Sequence, residues 1–457
     1  MRQEVNEIKK VMDKHGYSIN SIIATILKEF NFKSICWHAG AKKEDGYSVT
    51  AIITFMILLP LMLIETVHAF YKSSYIGITP MKKDTIYRMQ NNENMPWRRL
   101  LYGVAKRFQA LVNSKKQVAD NSAFIIDDTA DIRVGRKIEN ISLVHDHNDN
   151  KTKLGFKHLF LGFFDGTSFI PIDFSTHCEK LLFLKQRIEQ FRKLVKIGSN
   201  GSKRRKECKV DKITNALAML KRAVKHGFMA KYVLVDSWFS SKKFIQTVMS
   251  IKNGAMHVVC GMKNDKRNYD YKGQTLNSKQ LRQVLSQEGN AKRSRKWNTR
   301  YYEVVVYYKD IGEVKLCICR FPYQKKWRVF LSTDTSLTFT KMMEIYSARW
   351  TIEVFFREVK QQLGMGKCKS RDFDAQIASI TIVCILYTML AYYRRVNDYE
   401  TLGGLFAAIK DDNCEKNLAQ RLWELFDDLL RTVITIISES GSVDIKLFRE
   451  SAEYQYL

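Results

Sequence analysis

A run near residue 350 carries polar side chains of four kinds at spacings that a helix can gather. In Tyr346-Ser-Ala-Arg349-Trp350-Thr-Ile-Glu353-Val-Phe-Phe-Arg-Glu-Val-Lys360, a turn of about 100° per residue puts Tyr346, Arg349, Glu353 and Lys360 within an arc of about 60°. Ile352, Phe355, Phe356, Val359 and Leu363 cluster beside that arc as an apolar stripe. The polar stripe therefore follows the edge of a buried face, where side chains can enter a cleft. The plainer reading is a tyrosine beside a surface Arg349–Glu353 ion pair. Two more acids follow apolar runs, in Phe124-Ile-Ile-Asp127-Asp128-Thr129 and Tyr232-Val-Leu-Val-Asp236. A carboxylate just past a buried strand is rigidly held and partly desolvated. That suits magnesium, which prefers oxygen donors and binds through one or two carboxylates plus substrate phosphate. A turn or cap role is the bland alternative for each acid.

The elements that must position these groups can be read from periodicity. Residues 1–118 are mostly helical in pattern, as in Ser21–Phe30 and Met95–Val112, with apolar residues three and four apart. Arg98, Arg99, Lys106 and Arg107 decorate the second segment and are expected to form a DNA-contacting face. Asp165-Gly166 lies between the apolar runs Gly155–Phe164 and Thr167–Phe174, a strong hairpin signal. Leu181–Val195 and Asp211–His226 read as helices. The segment between them contains Lys203, Arg204, Arg205 and Lys206 and reads as an exposed basic loop. From about 263 to 338, alternating β-branched and aromatic residues predict a separate antiparallel β unit, in which Cys317 and Cys319 share a core face. Helical patterns return from Thr338 to Leu363 and from Ile377 onward.

Composition narrows the partners. The 457 residues carry 75 Lys and Arg against 47 Asp and Glu, a net charge of +28. A surplus of that size favours a polyanion, nucleic acid before a membrane surface, because the bases are dispersed rather than packed on one amphipathic helix. The longest apolar run, Ala51 to Ile64, is shorter than the roughly 20 residues that span a bilayer and contains Pro60. Nine scattered cysteines form no CxxC pair, which argues against a disulfide framework or a structural zinc module. His145-Asp146-His147 reads as part of a solvated loop, and no glycine-rich nucleotide loop is present. A soluble, cytoplasmic, nucleoid-associated protein is expected, with no membrane partner.

Tyr346-x2-Arg349-x3-Glu353-x6-Lys360 resembles the signature of the transposases of the IS-four family of bacterial insertion sequences. Asp128-Thr129 matches that family's first acid, Asp236 its second and Glu353 its third, and the β-rich stretch falls where the family carries an insertion. The resemblance covers roughly residues 120–390. It implies an α/β fold: an RNase H-like mixed sheet flanked by helices, interrupted by an antiparallel β insertion, with helical N- and C-terminal regions. The expected divisions are a DNA-binding region (1–118), a catalytic core in two parts (119–262 and 339–395), the insertion (263–338) and a C-terminal region (396–457).

By the same resemblance, Asp128, Asp236 and Glu353 would hold two Mg2+ or Mn2+ ions, about 3.5–4 Å apart, for in-line attack on a DNA phosphodiester. Tyr346, Arg349, Trp350 and Lys360 would grip DNA, with Lys203, Arg204 and Arg205 as further contacts. Strand alternation alone leaves Asp127 and Asp128 open; the family's acid directly precedes threonine, which points to Asp128. Trp297 or Trp327 could stack a flipped base during hairpin processing. After Asp236 the sequence reads Ser237-Trp238-Phe239-Ser240, departing from the Asp-Arg-x-x-Asp pattern of some relatives. The implied reaction is cleavage at the element's terminal inverted repeats and joining to target DNA, by a homodimer on paired ends. The rivals are a stand-alone RNase H-like nuclease and a non-catalytic DNA-binding derivative of a transposase.

Overall fold

The computed structural model describes residues 25–397, apart from 44, 74–78, 80, 113–118, 147–148, 179–189, 264, 266 and 323, together with 404–405. Residues 27–403 form one compact unit. Among the described residues, five helices come first: α1 (Phe32–Ala39), α2 (Val49–Leu61), α3 (Val67–Phe70), α4 (Lys83–Gln90) and α5 (Trp97–Val112). Four strands follow, β1 (Ala123–Ile132), β2 (Ser142–Asp146), β3 (Lys151–Phe164) and β4 (Phe169–His177), then α6 (Asn200–Glu207) and α7 (Lys212–Lys225). Next come β5 (Tyr232–Val235), α8 (Lys242–Ser250), β6 (His257–Met262), β7 (Asn268–Tyr271), β8 (Gln274–Asn277) and α9 (Ser278–Gln287). The chain continues through β9 (Lys292–Ser294), β10 (Thr299–Tyr308), β11 (Gly312–Arg320) and β12 (Arg328–Ser332) to α10 (Phe339–Ser347), α11 (Trp350–Gln361) and α12 (Phe373–Val396).

The core sheet has the order β4-β3-β1-β5-β6. Its first three strands are antiparallel, and β1, β5 and β6 are parallel. The parallel strands are apolar on both faces, as a sheet covered on both sides requires: Phe124, Ile125, Ile126, Val233, Leu234 and Val235 are fully buried. The large mixed sheet flanked by helices is consistent with the RNase H-like class. The β3–β4 hairpin turns at the expected Asp165-Gly166, where Gly166 adopts φ +100° and Asp165 Oδ1 accepts from the backbone N–H groups of Thr167 and Ser168.

Several expectations are corrected. The strand β1 does not end at its acids but runs through them to Ile132, because it pairs with β3 along its whole length. The stretch from 263 to 338 does not stand apart. Its strand β12 pairs antiparallel with β6, so β12, β11, β10, β7 and β8 prolong the core sheet, and α9 lies within the stretch. The basic segment after Gly198 is a helix, α6, capped by the Ser199 side chain. His145 and Asp146 lie on β2 rather than in a loop. The helix expected over Leu181–Val195 falls mostly on residues 179–189, outside those described, and 190–195 are not helical. The terminal regions 1–24 and 406–457 also lie outside them.

Helix α12 is apolar all round and nearly enclosed, from Ala375 and Ile377 to Ala391. It is long and apolar enough to cross a membrane, yet 94% of its apolar window is buried inside the protein. Its neighbours are α5, α2, α4 and β4.

Candidate active site

Parallel pairing of β1 with β5 sets Ile126 opposite Val235, so the next residues, Asp127 and Asp236, emerge side by side. Successive residues of a strand face opposite sides of the sheet. Asp127 therefore points to the face covered by α11. Its Oδ2 accepts from Arg349 Nη1 at 3.0 Å, and Arg349 Nη2 reaches Glu353 Oε1 at 2.5 Å. Asp128 points to the opposite face, where Lys212 Nζ donates to its Oδ2 at 2.6 Å and Lys157 lies 3.8 Å from its Oδ1. Lys212 is delivered by α7, whose N-terminus is capped by Asp211. The structure thus groups Asp127, not Asp128, with Asp236 and Glu353.

The expected continuous helix from Tyr346 to Lys360 is broken. It divides into α10 and α11 at a tight turn in which Arg349 N donates to Tyr346 O and Thr351 N to Ala348 O, both at 3.0 Å. The polar residues still converge. The Tyr346 ring packs edge-on against Phe330, and the Arg349 guanidinium lies 5.7 Å from its centroid. Gly261 lies beside this group; a Cβ there would meet the Tyr346 hydroxyl at 3.4 Å and Ser237 N at 3.6 Å, ordinary van der Waals contact. Two residues along β1 from Asp127, Lys360 Nζ donates to Thr129 Oγ1 (2.7 Å) and, one residue further, to Ala130 O (2.8 Å). Lys360 also borders a cavity of about 530 Å³ that includes Asp128, Thr129, Lys157 and Lys367.

The electrostatics are those of a cation-seeking pocket. Burial, and then the negative Asp236, push the Asp127 carboxyl up to about 7 despite Arg349. Burial raises the Tyr346 phenol to about 12. Arg349 Nε is buried and makes no hydrogen bond among the described residues. An all-carboxylate set of Asp127, Asp236 and Glu353 fits magnesium or manganese by donor type. Arg349 stands between Asp127 and Glu353, and among the described residues no three such side chains lie close enough to share one ion.

Other sequence-derived contacts are relocated. Arg204 is buried, donating to Phe174 O and pairing with Glu207, while Arg205 pairs with Glu139 and Asp374. Arg98 pairs with Asp173 and Glu207, and Arg107 donates to Glu29 O. These four arginines hold the protein together and are not a free DNA face. Lys203 is exposed, and so is Trp350. Trp327 packs near Tyr302 with Arg282 and Arg320 over its ring, and Trp297 is half-buried with its Nε1 enclosed. Cys317 and Cys319 are core residues, as expected.

Residues 78–287 match the family model described as DDE superfamily endonuclease, and residues 205–389 match the one described as Transposase DDE domain. No curated protein matches. The two matches support a DDE transposase family and a transposase function, and imply a DNA substrate. Such domains generally use divalent metal ions.

Proposed function

We propose that this protein is a DDE transposase of the IS-four kind, which cleaves DNA at the ends of an insertion sequence and joins the freed 3′-hydroxyls to target DNA. The observation that carries the reading is the adjacency of Asp127 and Asp236 on parallel strands, with Glu353 tied to Asp127 through Arg349. Asp127, Asp236 and Glu353 would hold the divalent ions, which when bound activate the attacking hydroxyl and stabilise the leaving oxygen. Tyr346 and Arg349 orient the phosphate beside them. Lys360, at the cavity beyond Thr129, holds a neighbouring phosphate and helps fix the strand in line. In this reading Asp128 keeps its lysine partners and orders the strand. The enzyme acts as a homodimer on paired ends, and Trp297 or Trp327 supports hairpin processing.

The test uses supercoiled plasmid carrying the DNA that flanks the gene. Wild-type protein is expected to nick it in Mg2+, while Asp236→Asn and Glu353→Gln bind the same DNA without nicking it. Nicking retained by either variant would unseat the assignment. Binding should also weaken steeply with salt, with about 10³-fold or more lost between 50 and 200 mM for six or more phosphate contacts. A flat salt response, read by fluorescence anisotropy, would exclude an extended phosphate-gripping surface.

A further inference from the structure

We propose that Trp238 is the stacking platform for a nucleobase beside the cleaved phosphate. The inference rests on the DNA-cleaving reading above and adds a substrate contact to that site. Trp238 lies two residues beyond Asp236 and is 44% exposed, although Phe239 and Ser240 after it are buried. An indole left open in a loop loses the benefit of burial unless something else covers it.

The ring is held in place. Its backbone N–H donates to Asp236 Oδ1 at 2.9 Å, so the attachment point of the indole is tied to the carboxylate. Phe239 meets the indole edge-to-face at 4.8 Å and is itself anchored beside Phe244. Ser240 Oγ donates to Ser237 O, and Arg267 Nη1 donates to Ser240 O, closing the turn from behind. Little freedom remains to be lost when a ligand lands on the ring.

The surroundings specify the ligand. Lys212 Nζ sits over one face of the indole, 4.2 Å from the ring centroid, so a flat group would stack on the opposite face, close to a cation. A flat group joined to an anion is a nucleotide. A phosphate presented to Asp236 necessarily brings its attached bases to the adjacent loop, and an indole stacks any base. Trp327 carries two cations over its ring, Arg282 and Arg320, where Trp238 carries one.

The experiment uses the full chain with Asp236→Asn, alone and combined with Trp238→Ala or Trp238→Phe, on mixed-sequence duplexes bearing one nick. 2-Aminopurine is walked across the positions on both sides of the nick. Binding is expected to quench its fluorescence at one position. Trp238→Ala should abolish that quench and weaken binding about tenfold, and Trp238→Phe should keep most of both. An abasic residue at the same position should weaken the parent protein equally, with no further loss in Trp238→Ala. A quench profile identical with and without Trp238, additive losses, or a change of oligomeric state in place of the quench would overturn the proposal. Absence of nicking by the wild-type chain would instead remove the transposase reading, and the quench would still report on stacking.

Discussion

Asp127→Asn is expected to lower metal-dependent nicking by roughly 10³-fold, or about 4 kcal/mol of barrier, whereas Asp128→Asn should stay within about tenfold of wild type. The two residues are neighbours in β1, yet their carboxylates lie on opposite faces of the sheet. One meets Arg349, and through it Glu353; the other meets Lys212 and Lys157. Burial beside Asp236 has already pushed Asp127 up to about 7, so its charge is the one a cation would stabilise. Neutralising Asp128 instead releases two lysines, a cost to local order. Nicking measured at saturating DNA separates the cases, and an active Asp127→Asn with an inactive Asp128→Asn would reverse the assignment.

The largest stability effect is expected at Asp173. Its side chain is fully buried and accepts from Arg98 Nε at 2.8 Å, Arg222 Nε at 2.9 Å and Tyr102 Oη at 3.1 Å. Glu207 joins the cluster through Arg98, Arg222 and Arg204. Burial alone would raise the Asp173 carboxyl, but Arg98, Arg222 and Arg204 outweigh it and hold it at about 2. Because the folded value lies below the unfolded one, this stabilisation is complete above about pH 4 and is lost as pH falls through about 2. Asp173→Asn leaves three arginines undercompensated and should cost about 3–5 kcal/mol. In thermal unfolding at neutral pH that is a fall on the order of 10 °C. An unchanged midpoint would mean the arginines are neutralised elsewhere.

Local signals were legible wherever the determining residues lay close in sequence. Asp165-Gly166 announced its hairpin because the turn needs a left-handed residue there. The Tyr346–Lys360 spacing brought its polar residues to one place even though the helix breaks at Arg349. Long-range pairing was not legible. Whether Asp127 or Asp128 faces α11 depends on which helix covers which side of β1, and no spacing encodes that. Arg205 looked like part of a solvated run because its partners, Glu139 and Asp374, are far along the chain. The β-rich stretch looked independent because the β12–β6 pairing that joins it to the core is a matter of register rather than composition.

The position of α12 also has a consequence for how the chain is made. It packs on α5 and β4, elements synthesised some two to three hundred residues earlier. Until residue 396 has left the ribosome, those surfaces have no cover, and the nascent chain must keep a broad oily face away from its neighbours. A chain halted before α12 therefore keeps its paired strands but lacks the helix that seals them.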